Sequence, residues 1–173
     1  MILNLSLLLI VLFLLIFLSM IWPPDSPWAP WWRTSDENII KALKLAGVKS
    51  SDVVYDLGSG DGRTLIIAAK KFGARGVGVE IDPLRFYFSK LLVKFNGLSK
   101  RVELRKENFL NSNISDATVV FVYLVPNALK KLKPKFLKNL EGGTRIVSIK
   151  YEMELPKTKI IRGDRNIYLY HIS

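Results

Sequence analysis

The sequence predicts an α/β fold with a doubly wound, mainly parallel sheet, preceded by one N-terminal transmembrane helix. After residue 33, short apolar runs rich in β-branched residues alternate with segments of helical periodicity, which is typical of parallel strands joined by helices. Before residue 23, the chain is one uncharged apolar run. These observations divide the chain into an anchor at 1–22, a linker at 23–33 and a folded domain at 34–173.

The N-terminal run is long enough to span a bilayer. Residues 2–22 contain sixteen Leu, Ile, Val or Phe residues and no charged residue, and about 20 apolar residues suit a ~30 Å hydrocarbon core. A cleaved signal peptide would instead need a basic start, a shorter apolar core and a small-residue cleavage site, and the run has none of these. We therefore expect an uncleaved, single-pass anchor.

The charge distribution predicts the orientation of this anchor. All 26 Lys and Arg residues lie after it, beginning with Arg33, so we expect the folded domain on the cytoplasmic side of the membrane. With 15 acidic residues the net charge is +11, which suits nucleic acid, an acidic protein or anionic lipid as a partner. The linker is rich in Trp and Pro, which is typical of a semi-rigid spacer near a membrane surface. The absence of cysteine excludes disulfides, thiolate zinc sites and a cysteine nucleophile, and we predict no metal site.

The first elements of the folded domain surround a glycine-rich turn. A helix is predicted to begin at Thr34 or Ser35, either of which can cap it, and to end at Gly47. A short strand at 53–55 closes at Asp56, glycines follow at positions 58, 60 and 62, and helical spacing then extends to about residue 72. Such a turn lets a ligand approach the backbone, and the helix N-terminus presents unpaired N–H groups to an electron-rich ligand.

The rest of the chain continues the alternation of strands and helices. Strands are predicted at 76–81, 102–105, 116–122 and 144–154. Helices are predicted at 83–95 and 127–140, the second of them interrupted near Pro134. Residues 157–172 are predicted to form a terminal hairpin.

The sharpest functional signal is the stretch from Val53 to Arg63, VVYDLGSGDGR. Nicotinamide-binding folds use G-x-G-x-x-G, whereas here the third glycine comes one residue earlier. A phosphate-binding P-loop is excluded because no Gly-Lys-Ser/Thr follows. The stretch resembles the first motif of class I S-adenosylmethionine (SAM) methyltransferases, acidic-x-G-x-G-x-G. We therefore expect SAM as the cofactor, bound at the carboxyl ends of the parallel strands.

The chemistry of SAM matches the polar residues at those strand ends. The Asp56 carboxylate suits the methionine ammonium group, and Glu80 lies near the spacing at which α/β nucleotide folds place an acid for ribose hydroxyls, unless it is only a surface charge. Asn108 and Phe109 suit the edge and face of adenine, although Asn108 alternatively shapes a turn and Phe109 alternatively packs in the core. The predicted cofactor-binding residues are Asp56, Gly58, Ser59, Gly60, Gly62, Glu80, Asn108 and Phe109.

Longer segments resemble small protein-lysine methyltransferases over about residues 30–172. The runs that carry the resemblance are DLGSGDGR, ENF and DATVVFVYLVPNALKKLKPKFLKNLEGGTRIVS. The chain is similar to the archaeal broad-specificity lysine methyltransferase and to the enzymes that methylate the c subunit of ATP synthase. The resemblance implies a Rossmann-like, seven-stranded methyltransferase sheet with an antiparallel terminal hairpin. It also implies a protein substrate with an exposed lysine, and membrane proteins are among the candidates.

The same resemblance implies which residues lie at the reaction centre. The segment APWWRT is similar to the P-(Y/F)-V-P-T segment that these enzymes carry before the first helix, but it departs from that segment at Trp31-Trp32-Arg33. By resemblance, Thr34 and Asn127 lie near the reaction centre. Independently of the resemblance, a lysine must be desolvated in an aromatic channel, and we expect Tyr123 and Asn127 to line that channel. The predicted catalytic residues are therefore Tyr123, Asn127 and Thr34.

The sequence leaves other functions open. Residues 123–127, YLVPN, stand where enzymes that methylate nucleobase or glutamine amino groups usually carry N/D-P-P-Y/F. This difference argues against those substrates but leaves ribose or tRNA methylation open. A SAM-dependent methyltransferase of a lipid, quinone or RNA is one alternative, and a non-catalytic, tethered SAM-binding module is another. The leading prediction is a monomeric, membrane-anchored enzyme that methylates the ε-amine of protein lysine residues.

Overall fold

Helices and strands alternate along most of the chain. The computed structural model describes residues 2–21 and 33–173, and it describes the side chains of the first helix at positions 4–17. The helices of the described residues are α1 (Ile2–Ile21), α2 (Asp36–Leu45), α3 (Arg63–Phe72), α4 (Pro83–Phe95) and α5 (Pro126–Asn139). The strands are β1 (Val53–Leu57), β2 (Arg75–Glu80), β3 (Val102–Lys106), β4 (Val119–Val122), β5 (Arg145–Ile149), β6 (Lys157–Ile161) and β7 (Ile167–His171).

The N-terminal helix corrects the prediction of a membrane anchor. The α1 side chains described at positions 4–17 are exposed. Among the described residues, no helix combines the length and the apolar character needed to cross a membrane. The predictions of a transmembrane helix at 1–22 and of a single-pass membrane location are therefore wrong for the part of the chain that the structure describes. The predicted linker at 23–33 lies outside the described residues except for Arg33.

The strands form one seven-stranded mixed sheet in the order β3-β2-β1-β4-β5-β7-β6. The pairs among β1 to β5 are parallel, whereas β7 pairs antiparallel with both β5 and β6. The sheet and its antiparallel terminal hairpin agree with the sequence prediction. The chain builds outward from β1 to β3 and then returns to place β4 on the other side of β1. This reversal opens a crevice at the carboxyl ends of β1 and β4, where ligands of such sheets bind.

Side chains of the central strands pack into two layers, one on each face of the sheet. In β1, Tyr55 belongs to a core cluster that also contains Leu132 and Phe136 of α5. Its neighbour Val54 belongs to a second cluster that contains Leu43 of α2. This division follows from the alternation of side chains along a strand, and it explains why the central strands are apolar at consecutive positions. The carboxyl ends of the strands are thereby held in fixed positions between two helical layers.

Polar side chains cap α2 and α4, whereas a glycine lies at the start of α3. The Ser35 hydroxyl accepts a hydrogen bond from the Asn38 N–H of α2 at 3.3 Å, so Ser35 caps this helix. Asp82 caps α4 by accepting from the Arg85 N–H at 2.9 Å. The N-cap of α3 is Gly62 rather than the acidic residue before it, and its φ of 75° is one that glycine adopts without strain. These caps fix the segments that enter and leave the crevice.

Candidate functional site

The glycine-rich turn between β1 and α3 forms one wall of the crevice. Gly58, Gly60 and Gly62 have φ values of 83°, 54° and 75°, which residues with a Cβ rarely adopt. The N–H groups of Gly58 and Ser59 donate to the Val79 carbonyl of β2 at 2.8 and 3.0 Å. The turn is therefore attached to the neighbouring strand rather than free in solution.

Glu80 holds the same turn from the carboxyl end of β2. Its side chain is buried, with Oε2 accepting from the Gly60 N–H at 2.8 Å and Oε1 accepting from the Asp82 N–H at 2.9 Å. A carboxylate has about four acceptor positions, so two hydrogen bonds leave capacity for further donors. The structure thus gives Glu80 a bracing role that was not predicted from the sequence. Its predicted contact with ribose hydroxyls stays a prediction.

Asp56 lies at the centre of a group of buried carboxyl groups. Burial raises the pKa of Asp56 to about 7, a hydrogen bond from Thr64 opposes this rise, and the nearby Asp61 and Glu80 charges add to it. These three carboxyl groups lie on β1, on the glycine turn and on β2. They give the crevice an acidic character inside a basic chain, which suits a cationic ligand group.

Asn108 and Phe109 follow β3 at the same edge of the sheet. The Asn108 Oδ1 accepts from the Leu110 N–H at 2.9 Å, so this side chain shapes a turn. Phe109 is buried in the core cluster that contains Tyr55 and Val79. Asn108 therefore shapes a turn and Phe109 packs in the core, as the sequence allowed for each. Contacts of these residues with adenine stay predictions.

Tyr123 and Thr34 carry two buried hydroxyl groups near the crevice. Tyr123 directly follows β4, and Thr34 directly precedes the Ser35 cap of α2. Neither hydroxyl has a hydrogen-bond partner of acceptable geometry among the described residues. Burial raises the pKa of Tyr123, while the nearby Arg165 and Lys150 charges oppose that rise. The third predicted catalytic residue, Asn127, is exposed in the first turn of α5.

Ion pairs and hydrogen bonds hold the segment at 33–38 against the glycine turn and the β6–β7 loop. The Asp61 Oδ2 lies 3.4 Å from Nη2 of Arg33 and 3.4 Å from Nη2 of Arg63. On the other side, Nη1 of Arg165 donates to the Arg33 carbonyl at 2.9 Å. Asp61 and Arg165 were not predicted as site residues from the sequence. No local pattern identifies Arg165, because 132 residues separate it from Arg33.

A family model described as the ANTKMT methyltransferase domain matches residues 56–159, which include the end of β1, the glycine turn and the segment after β4. The chain belongs to this family. It is 40% identical over 85% of its length to a protein-lysine N-methyltransferase of Saccharolobus islandicus (strain REY15A), and it covers 96% of that relative. It is 28% identical over 72% of its length to the ATP synthase c-subunit lysine N-methyltransferase of Homo sapiens, of which it spans only about half, 52%.

A solved structure agrees with the family membership. The crystal structure of an RNA methyltransferase from Salinibacter ruber, in complex with S-adenosyl-L-homocysteine, superposes with a TM-score of 0.80 and is 38% identical. The superposition covers 82% of this chain and 94% of that one. The chain is therefore a SAM-dependent methyltransferase with a Rossmann-like fold, and the predicted resemblance and cofactor are confirmed.

The residues of the crevice fit SAM. The buried Ser59 hydroxyl has no hydrogen-bond partner among the described residues, so a donor or acceptor of the cofactor would satisfy it. A Cβ atom on Gly58 would approach a Leu124 side-chain carbon to 3.2 Å, so the close fit at this turn depends on glycine. The carboxyl groups of Asp56 and Glu80 suit the ammonium group and the ribose hydroxyls of SAM, respectively. The assignment of individual residues to parts of the cofactor stays a prediction.

Proposed function

We propose that this chain transfers methyl groups from SAM to the ε-amine of lysine residues in a protein substrate. The observation that carries the proposal is the 40% identity to a protein-lysine N-methyltransferase of which the chain covers 96%. Several further relatives are also lysine N-methyltransferases by name. The buried hydroxyls at the carboxyl edge of the sheet support this proposal, because a neutral amine needs polar partners in a site that excludes water.

The residues of the crevice have distinct roles in this proposal. Bound SAM supplies an electrophilic methyl group on a sulfonium centre. Asp56 would hold the ammonium group of SAM, and Glu80 would hold its ribose while it also accepts from the Gly60 N–H. Because the glycine turn is bonded to β2, the cofactor meets a site that is already organised.

The acceptor lysine must lose its proton to solvent water before its nitrogen lone pair can attack. With a pKa near 10.4, deprotonation costs about 4–5 kcal/mol at pH 7. Burial in a channel beside the Tyr123 ring lowers that cost, since low dielectric and neighbouring cations both disfavour the ammonium form. Arg165 and Lys150 supply cations near Tyr123. The Tyr123 and Thr34 hydroxyl oxygens then accept hydrogen bonds from the amine and orient its lone pair.

RNA is the second candidate substrate. The solved structure that is 38% identical to this chain is described as an RNA methyltransferase, and the net charge of +11 suits a polyanion. The carboxyl groups around Asp56 do not discriminate between the two substrates, because both reactions use the same cofactor. The identity of the atom that receives the methyl group distinguishes the two candidates.

Labelled SAM tests the proposal. The purified chain is incubated with SAM carrying a radioactive methyl group and with lysine-rich protein, RNA or lipid vesicles in separate reactions. We expect label in the protein, recovered as methyl-lysine after hydrolysis, and none with an Asp56→Ala variant. Label confined to RNA or lipid would refute the proposal, and label in RNA alone would support the second candidate.

A further inference from the structure

Arg165 connects two parts of the site that are far apart in the sequence. It lies in the loop between β6 and β7, and its Nη1 donates to the Arg33 carbonyl at 2.9 Å. That carbonyl belongs to the peptide group that precedes Thr34. The Arg165 guanidinium carbon also lies 5.3 Å from the centre of the Tyr123 ring, within the range of a cation–π interaction. One side chain therefore contacts both segments that carry the buried hydroxyls.

A second contact supports the seating of the loop against this segment. Asp164, the neighbour of Arg165, accepts through Oδ2 from the Asn38 Nδ2 at 3.4 Å. On the far side, Arg33 is held by Asp61 of the glycine turn. The segment at 33–38 is therefore fixed between the glycine turn and the terminal hairpin. Of these two contacts with the hairpin, the one made by Arg165 is nearer to Thr34.

An arginine is suited to this position for a geometric reason. Its planar guanidinium presents five N–H donors in a fixed fork while its face stacks on an aromatic ring. A lysine ammonium carries the same charge, but it cannot place a flat group on the Tyr123 ring and a donor on the Arg33 carbonyl in the same fixed arrangement.

We propose that Arg165 is a positioning residue that holds the Arg33–Thr34 peptide and the Tyr123 ring as two walls of the acceptor channel. This inference rests on the proposed function, because the channel is the one that receives the substrate lysine. Arg165 acts through its neighbours and takes no part in the methyl transfer itself. Its loss therefore weakens productive binding of the acceptor and leaves the cofactor site intact.

Two variants test the inference against a lysine peptide at saturating SAM. Arg165→Met keeps most of the stem and removes the charge and the fork, and Arg165→Lys keeps the charge and removes the fork. We expect kcat/KM for the peptide to fall about tenfold or more in both, the effect of losing one hydrogen bond from a charged group. We expect the rise in KM to account for most of this loss, and the SAM dissociation constant from calorimetry to change by less than about twofold.

Arg101→Met is the matched control. Arg101 also donates Nη1 to a backbone carbonyl at 2.9 Å, that of Gly73, but it precedes β3 at the opposite end of the sheet from the crevice. The control should keep the wild-type kcat/KM. A matching loss of activity in the control would overturn the inference, because the effect would then follow from the loss of any surface arginine.

The remaining outcomes separate the inference from the proposed function. Wild-type kinetics in Arg165→Met, or full recovery of activity in Arg165→Lys, would overturn the positioning role while lysine methylation stands. A loss of SAM affinity equal to the loss of kcat/KM would also overturn it, because the residue would then serve the cofactor site. A wild-type chain that binds SAM but methylates no lysine would instead refute the proposed function.

Discussion

Substitution of Glu80 tests whether one side chain both shapes the glycine turn and binds the cofactor. Glu80→Ala removes the acceptor of two backbone N–H groups, those of Gly60 at 2.8 Å and Asp82 at 2.9 Å. Hydrogen bonds to charged groups contribute about 1.5–3 kcal/mol each, so the free energy of unfolding should fall by about 3–6 kcal/mol. Water that enters the vacated space would move the loss toward the lower value.

The same substitution should weaken SAM binding more than a loosened turn alone would. If Glu80 accepts from the two ribose hydroxyls as proposed, its removal costs about 2–4 kcal/mol, or roughly 30- to 1,000-fold in affinity. Urea unfolding measures the first effect and titration calorimetry the second. Glu103→Ala is the matched control, since Glu103 is an exposed carboxylate on the neighbouring strand, and it should change neither quantity appreciably.

Glu80→Gln separates the two roles. The amide keeps the shape of the side chain and one acceptor oxygen, so it should retain one of the two backbone hydrogen bonds. Its free energy of unfolding should therefore fall by about half as much as that of Glu80→Ala. Its SAM affinity should remain at least about tenfold below that of the wild type, because the charge is gone. If Glu80→Ala is destabilised but binds SAM with wild-type affinity, the reasoning about ribose recognition is refuted and Glu80 only braces the turn.

Three further predictions follow from single features of the site. Because burial raises the pKa of Asp56 from 3.8 to about 7, the free protein binds more protons than its unfolded chain in that interval, and its stability should decrease as pH rises from about 4 to 7. The proposed contact of Asp56 with the cofactor ammonium group needs the ionised carboxylate, so calorimetry should show tighter SAM binding as pH rises through about 7. Asp56→Asn should remove both pH dependences. Gly78→Ala places a Cβ atom 2.7 Å from two leucine side chains and 2.9 Å from the Ser59 Oγ. It should therefore lower the free energy of unfolding by about 1–3 kcal/mol and weaken SAM binding, whereas Gly142→Ala should change neither quantity. Lys150 has a φ of 71°, so Lys150→Gly should raise the free energy of unfolding by up to about 1 kcal/mol, and an unchanged or lower value would refute the strain argument.

The glycine turn was predictable because its pattern is local. The pattern is a short apolar strand, an acidic residue and then alternating glycines. A turn of this kind needs positive φ values, which glycine adopts without strain, and the structure has positive φ values at 58, 60 and 62. The position of Glu80 was also predictable, since it depends on the length of one strand–helix–strand unit. Its hydrogen bond to the Gly60 N–H was not, because that bond depends on the exact approach of β2 to the turn.

Two sequence expectations failed, the first of them because tertiary contacts outweighed local preference. The interruption predicted near Pro134 is absent, since α5 continues from Pro126 to Asn139. A proline inside a helix costs about 3 kcal/mol, and the burial of Leu132 and Phe136 on either side offsets that cost. The predicted transmembrane helix was inferred from composition, and the described part of α1 does not meet the requirements for crossing a membrane.

The wall of the acceptor channel shows a different limit of sequence reasoning. Thr34 was predicted from a family resemblance and Tyr123 from the need for an aromatic channel, and nothing in the sequence pattern connects the two residues. The link runs through Arg165, which contacts residues 132 and 42 positions away. Contacts at such separations arise from the order of strands in the sheet, and a single sequence does not encode that order in any local pattern.

The most direct test of lysine methylation is to locate the transferred methyl group within a product. The purified chain is incubated with SAM that carries a deuterated methyl group and with a lysine-rich protein, and the digested product is sequenced by tandem mass spectrometry. We predict deuterated methyl groups on lysine ε-nitrogens, absent from a parallel reaction with the Asp56→Ala variant. Label that appears only in RNA, lipid or side chains other than lysine, while the chain binds SAM, would contradict the proposed function.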